Sequence, residues 1–437
     1  MMKKLTALLL VFLLLLLTGC RNTEYLRGDV ENKDALRVYI DAGYTDDNPR
    51  KLIDIDDFML SVKDSGGLEN VVFEVIPSSG VERSAAIARL RTEMMAGGGP
   101  DVFITEAGLE TDFSKTLFPY PEKVMESGLF LPLDEYMEKN TEFTEWDKQQ
   151  PVVLAAGRNR EGQQIIPLSY TFPVQVCLAA NFTMEPREEP ITWQDTLTDP
   201  ALSEVYARFN DCAEISETYR VDLGQWETSK GTRPYFSYIL GELADYEKEE
   251  LLFTEEELYE RIQEILPLWE NTVYDPLSSF KDDFMGYPLV QKGAPLTFMP
   301  MYSDDGGVSV TIKSYAAVNR NTKYPEEAFR VIDVLLRKHT QLTKSLYTDG
   351  LCHFTAIPLY DEAFHSDSPF RHFHSFSDES YESFCAVKEQ ITSAHFYTTL
   401  DYDLGMLLYQ CLNAENPDDI KYLVHAAYES MQRKVRE

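Results

Sequence analysis

Apolar residues at Ile87, Leu90 and Met94 recur with the spacing i, i+3, i+7, which puts them on one face of a helix. Gly97, Gly98 and Gly99 end that helix, because glycine reaches the left-handed backbone that closes helix ends. Pro100 bars a return to helix. Val102, Phe103 and Ile104 then form a short unbroken apolar run, as expected of a strand covered on both faces of a parallel sheet. Ligands of open α/β sheets sit outside the carboxyl ends of such strands, so Thr105 and Glu106 fall at a candidate site.

The same patterns extend along the chain. Residues 36–42 and 71–76 read as strands on either side of a helix, and strand-helix-strand alternation produces a parallel sheet. Residues 161–164 read as a hairpin turn, and 174–181 as a further strand. Residues 196–285 are mainly helical in pattern. Strand composition returns at 308–312 and again at 315–319. Pro325 opens a helix whose apolar face is Ala328, Phe329, Ile332, Leu335 and Leu336. Residues 359–380 are polar and loop-like. Two helices close the chain, the second from near Pro417 with Ile420, Val424, Ala427 and Met431 in register.

The start of the chain changes the picture of where it works. Lys3 and Lys4 precede an apolar run over residues 5–17, shorter than the ~20 residues a bilayer span needs, which is signal-peptide anatomy. Leu17-Thr18-Gly19-Cys20 resembles the bacterial lipobox, which implies that Cys20 is diacylated and begins the mature chain. Two acyl chains suffice for stable anchoring. Residues 1–19 are therefore expected to be a lipoprotein signal peptide and 20–35 the lipidated cysteine and its tether. The expected location is the extracellular face of a bacterial membrane.

Composition adds exclusions. The 437 residues are enough for two or three domains with real cores. The formal net charge of −33 argues against nucleic acid or an anionic lipid surface as partner. Cys177, Cys212, Cys352, Cys385 and Cys411 match no metal or redox spacing and read as small buried hydrophobes, with no disulfide assignable.

Six stretches, in order behind the lipobox, carry a resemblance. Met95 to Phe103 (MAGGGPDVF) is similar to an "aGxGPDi" signature, and Ser127-Gly128-Leu129 through Leu133-Asp134 to "sGxlxpLd". Glu161-Gly162 through Pro167 resembles "dGkxyglP", Pro190-Ile191-Thr192-Trp193 resembles "PkTWdEl", and Pro234-Tyr235-Phe236 an aromatic segment. Ala316 through Ala328 is similar to "xaIsaxskxpeaA". The family is that of extracellular solute-binding lipoproteins of ABC importers, the group that includes maltose-binding protein. Gln163, Gln164 and Gln194 depart from its motifs, and residues 303–307 lack a tryptophan found there in several sugar binders.

The resemblance implies an α/β, two-lobe periplasmic-binding-protein-like fold of type II, with the ligand cleft between lobes. One lobe would hold residues 36–168 and 312–361, the other 169–311 and 362–437. It implies capture of a solute, most simply an oligosaccharide, by hinge closure and delivery to the permease subunits, without cofactor or catalytic activity. By position the ligand residues would be Tyr44, Glu106, Tyr170, Tyr235, Phe236, Tyr302 and Tyr402, with Trp226 an alternative platform. Aromatic faces stack on sugar C–H surfaces and carboxylates accept from hydroxyls. The alternatives are a peptide or polyamine ligand on the same fold and, in other classes, a lipid-anchored hydrolase, a zinc receptor built on His365, His372 and His374, or a structural surface protein. No G-x-S-x-G, H-E-x-x-H or P-loop is present.

Overall fold

Leu36–Asp41 (β1), Val71–Val75 (β2) and Val102–Glu106 (β3) pair in parallel in the order β2-β1-β3. Pro49–Asp64 (α1) and Gly80–Met95 (α2) are the crossovers. All of β3 is buried, which is why its sequence is an unbroken run and not an alternation. This is a computed structural model that describes residues 32, 34–41, 49–64, 66–77, 80–107, 116–139, 144–178, 189–200, 202, 236–270, 295–342, 356–360, 377–414 and 416–436.

The turn between α2 and β3 is built as its glycines require. Gly97 and Gly99 have φ of 80° and 101°, a region costly for residues with a Cβ. The Asp101 backbone amide donates to the Arg37 carbonyl at 2.8 Å, and its carboxylate accepts from the Arg37 amide at 2.8 Å and the Thr322 hydroxyl at 2.6 Å. The Gly-Pro-Asp stretch thus staples β1, β3 and a distant loop together.

The chain continues through three short helices, Pro121–Glu126 (α3), Asp134–Lys139 (α4) and Pro151–Ala155 (α5). A hairpin of Arg158–Asn159 (β4) and Gly162–Gln163 (β5) leads into Ile165–Thr171 (β6) and Val174–Leu178 (β7). Trp193–Thr198 (α6) follows; Thr192 caps it, reciprocally bonded with Asp195. Phe236–Leu240 (α7), a hairpin of Ala244–Asp245 (β8) and Glu250–Leu251 (β9), and Glu255–Glu270 (α8) precede Leu296–Pro300 (β10), which pairs antiparallel with β7. Then come Val308–Val318 (β11), Pro325–Leu336 (α9), Lys338–Leu342 (α10), Ile357–Pro358 (β12), Asp378–Lys388 (α11), Ile391–Phe396 (β13), Thr399–Leu412 (α12) and Pro417–Arg436 (α13).

The main sheet has seven strands in the order β12-β6-β11-β3-β1-β2, with β13 also on β11. It is mixed, since β11 runs antiparallel to both β3 and β6 and parallel to β13. Three details depart from the sequence reading. Residues 308–318 form one strand and not two, because Ser314, which looks like a break, is buried and shares a hydroxyl bond of 2.6 Å with Ser169. The stretch read as mainly helical contains the β8–β9 hairpin. The segment read as loop to residue 380 turns helical at Asp378, capped by the Ser377 hydroxyl.

Two apolar cores result. The first lies on the main sheet and includes Phe103, Ile104, Ile166, Val310 and Phe329. The second is mainly helical and includes Trp193, Phe236, Leu258, Leu404, Val424 and Met431. Cys411 is a buried free thiol in this second core, and burial pushes its pKa up to about 11, consistent with a small hydrophobe. No helix among the described residues is long and apolar enough to cross a membrane.

Candidate functional site

Apolar strands ending in polar residues deliver those residues to the carboxyl edge of the sheet. Asp41 is the last residue of β1, and Thr105 on β3 is its register partner. Tyr315 on β11 is in turn the partner of Thr105. Arg83, fully inside α2 at 2% exposure, closes a fork on Asp41: Nη1 donates to Oδ1 at 2.9 Å and Nη2 to Oδ2 at 2.6 Å. Nη1 also donates to the Pro77 carbonyl at 3.0 Å, and the Tyr39 hydroxyl donates to Asp41 Oδ2 at 3.0 Å. Burial works against the Arg83 charge, but the Asp41 bonds and charge outweigh it; the Glu106 charge adds to the effect.

A second row stands beside the first. Thr171, Thr311 and His395 are register partners across β6, β11 and β13. His395 Nε2 lies 3.0 Å from Asp401 Oδ1, and the Asp401 charge lifts the His395 pKa above its usual value against the pull of burial. Asp401 also accepts the Thr398 amide at 2.8 Å as part of the cap of α12. Its pKa is held low against burial by His395, Thr398 and Ser237.

Helix α3 makes contacts with both cores, Phe396 belonging to the first and Val435 to the second. Glu122 Oε1 accepts the Phe396 amide at 3.1 Å, Lys123 Nζ donates to the Val435 carbonyl at 2.9 Å, and the Tyr120 and Thr399 hydroxyls are hydrogen-bonded. Burial pushes the Glu122 carboxyl up to about 7, the backbone bonds and His395 opposing it.

Five polar atoms in this region are sealed from solvent with no hydrogen-bond partner: Glu122 Oε2, His395 Nδ1, and the hydroxyls of Tyr315, Thr311 and Ser309. Native interiors leave few such atoms, and each costs about 1–3 kcal/mol. These buried polar groups include hydroxyls, carboxylates, a guanidinium and an imidazole. Among the described residues no three His, Cys, Asp or Glu side chains group as a metal requires.

This arrangement makes stability fall with pH. Between about 4.5 and about 7 the folded state keeps a proton on Glu122 that the unfolded chain has released, so the fold weakens across that window. His395 runs the same way. Its raised pKa contributes stability present below 6.5 and lost as pH rises through the folded value. Asp304, pushed up to about 6 by burial against its bond with Arg261, adds to the trend. The Tm of the ligand-free protein is expected to fall from pH 5 to pH 8, and Glu122→Gln to flatten the slope in differential scanning calorimetry. A Tm that rises over this range would contradict it.

The residues proposed by position are dispersed. Glu106 lies at the end of β3, 5% exposed and in register with Ser314, and its charge acts on Arg83. Tyr170 is buried in the first core, opposite Ile312 and Ile357. Phe236 opens α7 and is buried in the second core. Tyr302 is buried, its hydroxyl donating to Gln390 Oε1 at 3.0 Å. Tyr402 stands 38% exposed on α12, one residue beyond Asp401. Cys20, Tyr44, Trp226, Tyr235 and the three loop histidines lie outside the described residues. The sequence reading did not single out Asp41, Arg83, Glu122, Tyr315, His395 or Asp401, the polar groups that the structure buries here. Asp41 alone had a local signal, a carboxylate closing a buried strand.

The sequence matches no protein-family model and no curated protein. Solved structures do match. An extracellular solute-binding protein of family 1 from Alicyclobacillus acidocaldarius superposes with a TM-score of 0.55 at 13% identity, covering 92% of this chain and 98% of that one. The sugar-binding protein MalE from Xanthomonas citri gives 0.57 at 10% identity over 92% and 97%. An ABC substrate-binding protein from Listeria monocytogenes in complex with cycloalternan gives 0.52 at 11% identity over 92% and 98%. At these identities the likeness establishes the fold: two α/β lobes of the periplasmic-binding kind.

Proposed function

From the two-lobe fold as premise, we propose that this protein is an extracellular substrate-binding lipoprotein of an ABC importer that captures a carbohydrate. The observation that carries the reading is the near full-length likeness to solved solute-binding proteins, 92% of this chain against 97–98% of each of them. A solute that touches both lobes binds the closed form better than the open one, so it shifts the population toward closure. Neighbours whose names state a ligand, among them a sugar-binding protein and a cycloalternan complex, support a sugar as that solute.

The lobes in this reading are residues 36–168 with 312–361 and residues 169–311 with 362–437. Tyr44, Glu106, Tyr235 and Tyr402 would contribute from the cleft walls, with Tyr170, Phe236 and Tyr302 packed behind them. The protein delivers its solute to permease subunits and does not transform it.

A thermal-shift screen of oligosaccharides, peptides and polyamines tests the function. An oligosaccharide is expected to raise Tm with concentration as RT ln(1+[L]/Kd), with no turnover product. Stabilisation by no class, or hydrolysis of a glycoside, would contradict it. Anchoring is separable: Cys20→Ala is expected to leave folding intact and move the protein from the detergent phase to the aqueous phase. Continued detergent partition of that variant would refute lipidation at Cys20.

A further inference from the structure

Two cations reach from the first core's side of the chain to the second's. Helix α3 is fixed in the first core by Met125, and its Lys123 Nζ donates to the carbonyl of Val435, in the last turn of α13 and in the second core. An ammonium there also suits the negative end of that helix. The β4–β5 hairpin is tied to α3 by Asn159, which donates to the Met125 carbonyl at 3.3 Å. From its turn, Arg160 Nη1 meets Glu247 Oε1 at 2.9 Å, at the turn of the β8–β9 hairpin, whose Ala244 and Leu251 lie in the second core. Just before α3, the Tyr120 hydroxyl is bonded with that of Thr399, the first residue of α12.

Strand register says on which side of the molecule these contacts lie. β13 ends at Phe396, opposite Ile312 of β11, and β3 ends at Glu106, opposite Ser314 of the same strand. The two strands therefore approach end to end, and α3 sits at that junction, where Glu122 accepts the Phe396 amide. This is the carboxyl edge of β3, the side on which open α/β sheets take ligands. Contacts across that edge form as the two halves approach and break as they part. A chain of net charge −33 resists that approach, and cations on one half aimed at acceptors on the other offset the repulsion.

We propose that α3 and the β4–β5 hairpin form a clasp, with Lys123 and Arg160 as its positioning residues, that keeps part of the population closed before any solute arrives. Solute and clasp then share the work of closure, and a weakened clasp raises the apparent Kd by the factor in which it lowers the closed fraction. The proposal goes beyond solute binding and its test needs no solute.

The test is small-angle X-ray scattering of the solute-free full chain, with Tm measured beside it. Lys123→Met keeps the apolar stem and removes the ammonium; it is expected to lower the closed-to-open ratio about tenfold, read as a larger radius of gyration with Tm little changed. The Arg160–Glu247 pair is exposed and contributes little by its attraction, but Arg160→Glu sets two carboxylates face to face and is expected to expand the protein as well. Joining it with Glu247→Arg restores the pair and is expected to restore the wild-type radius. An unchanged radius in both single variants, whether or not Tm falls, overturns the clasp. A charge swap as expanded as Arg160→Glu alone overturns it too. Either failure leaves the solute-binding reading standing, since that reading is decided by the ligand screen.

Discussion

Arg83→Ala is expected to lower the free energy of unfolding by about 3–5 kcal/mol. The pair it breaks is almost wholly inside the protein: the Arg83 side chain is 2% exposed and Asp41 0%. Removing the guanidinium strands Asp41 in a low dielectric, where among the described residues the Tyr39 hydroxyl, at 3.0 Å, is the side-chain donor left to it. It also leaves the Pro77 carbonyl without its donor. The loss belongs to the uncompensated charge and not to a large net worth of the pair, because desolvating two ions offsets most of their attraction. The double variant Arg83→Met with Asp41→Val should therefore recover much of the stability that the single variant loses. Urea denaturation of the three variants checks this. A single variant within about 1 kcal/mol of wild type would show that Arg83 does not reach Asp41.

Phe103→Ala should cost a similar amount, about 3–5 kcal/mol, through a cavity and not a charge. Phe103 is fully buried on β3, in the centre of an aromatic group. Its ring centroid lies 5.0 Å from that of Phe118, 6.0 Å from Phe130 and 6.1 Å from Tyr39, all edge-on. Phe118 and Phe130 also meet each other edge-on at 5.2 Å, so the group cannot collapse into the space without breaking further contacts. Phe103→Leu, which retains most of the volume, should cost under about 1.5 kcal/mol. Phe103→Ala and Phe118→Ala together should cost less than the sum, since they share contacts. Strict additivity would contradict this packing.

These two sites differ in how far the sequence announces them. Phe103 sits in an apolar run that follows a glycine turn, and both its strand and its burial are readable from period and punctuation. The first three strands, their crossovers, the hairpin before β6 and the closing helices are local in this sense. Arg83 is not. In the sequence Val81-Glu82-Arg83-Ser84 it resembles any charge on a solvated helix, and only pairing across 42 positions makes it a core residue. The same holds for His395, whose strand β13 has weak alternation and is fixed by pairing with β11. Strand β11 itself looks broken at Lys313-Ser314 until Ser169 arrives opposite. Tyrosines read as sugar platforms were judged by residue type, and residue type does not separate a cleft wall from a core. Tyr170 and Tyr302 are both buried, while Tyr315 carries the unpartnered hydroxyl.

The central claim is that the two lobes close on a solute. Small-angle X-ray scattering, with and without a saturating concentration of the oligosaccharide that most raises Tm, tests it most directly. The account predicts a smaller radius of gyration on binding. A solute that binds at saturation and leaves the radius of gyration unchanged would contradict it.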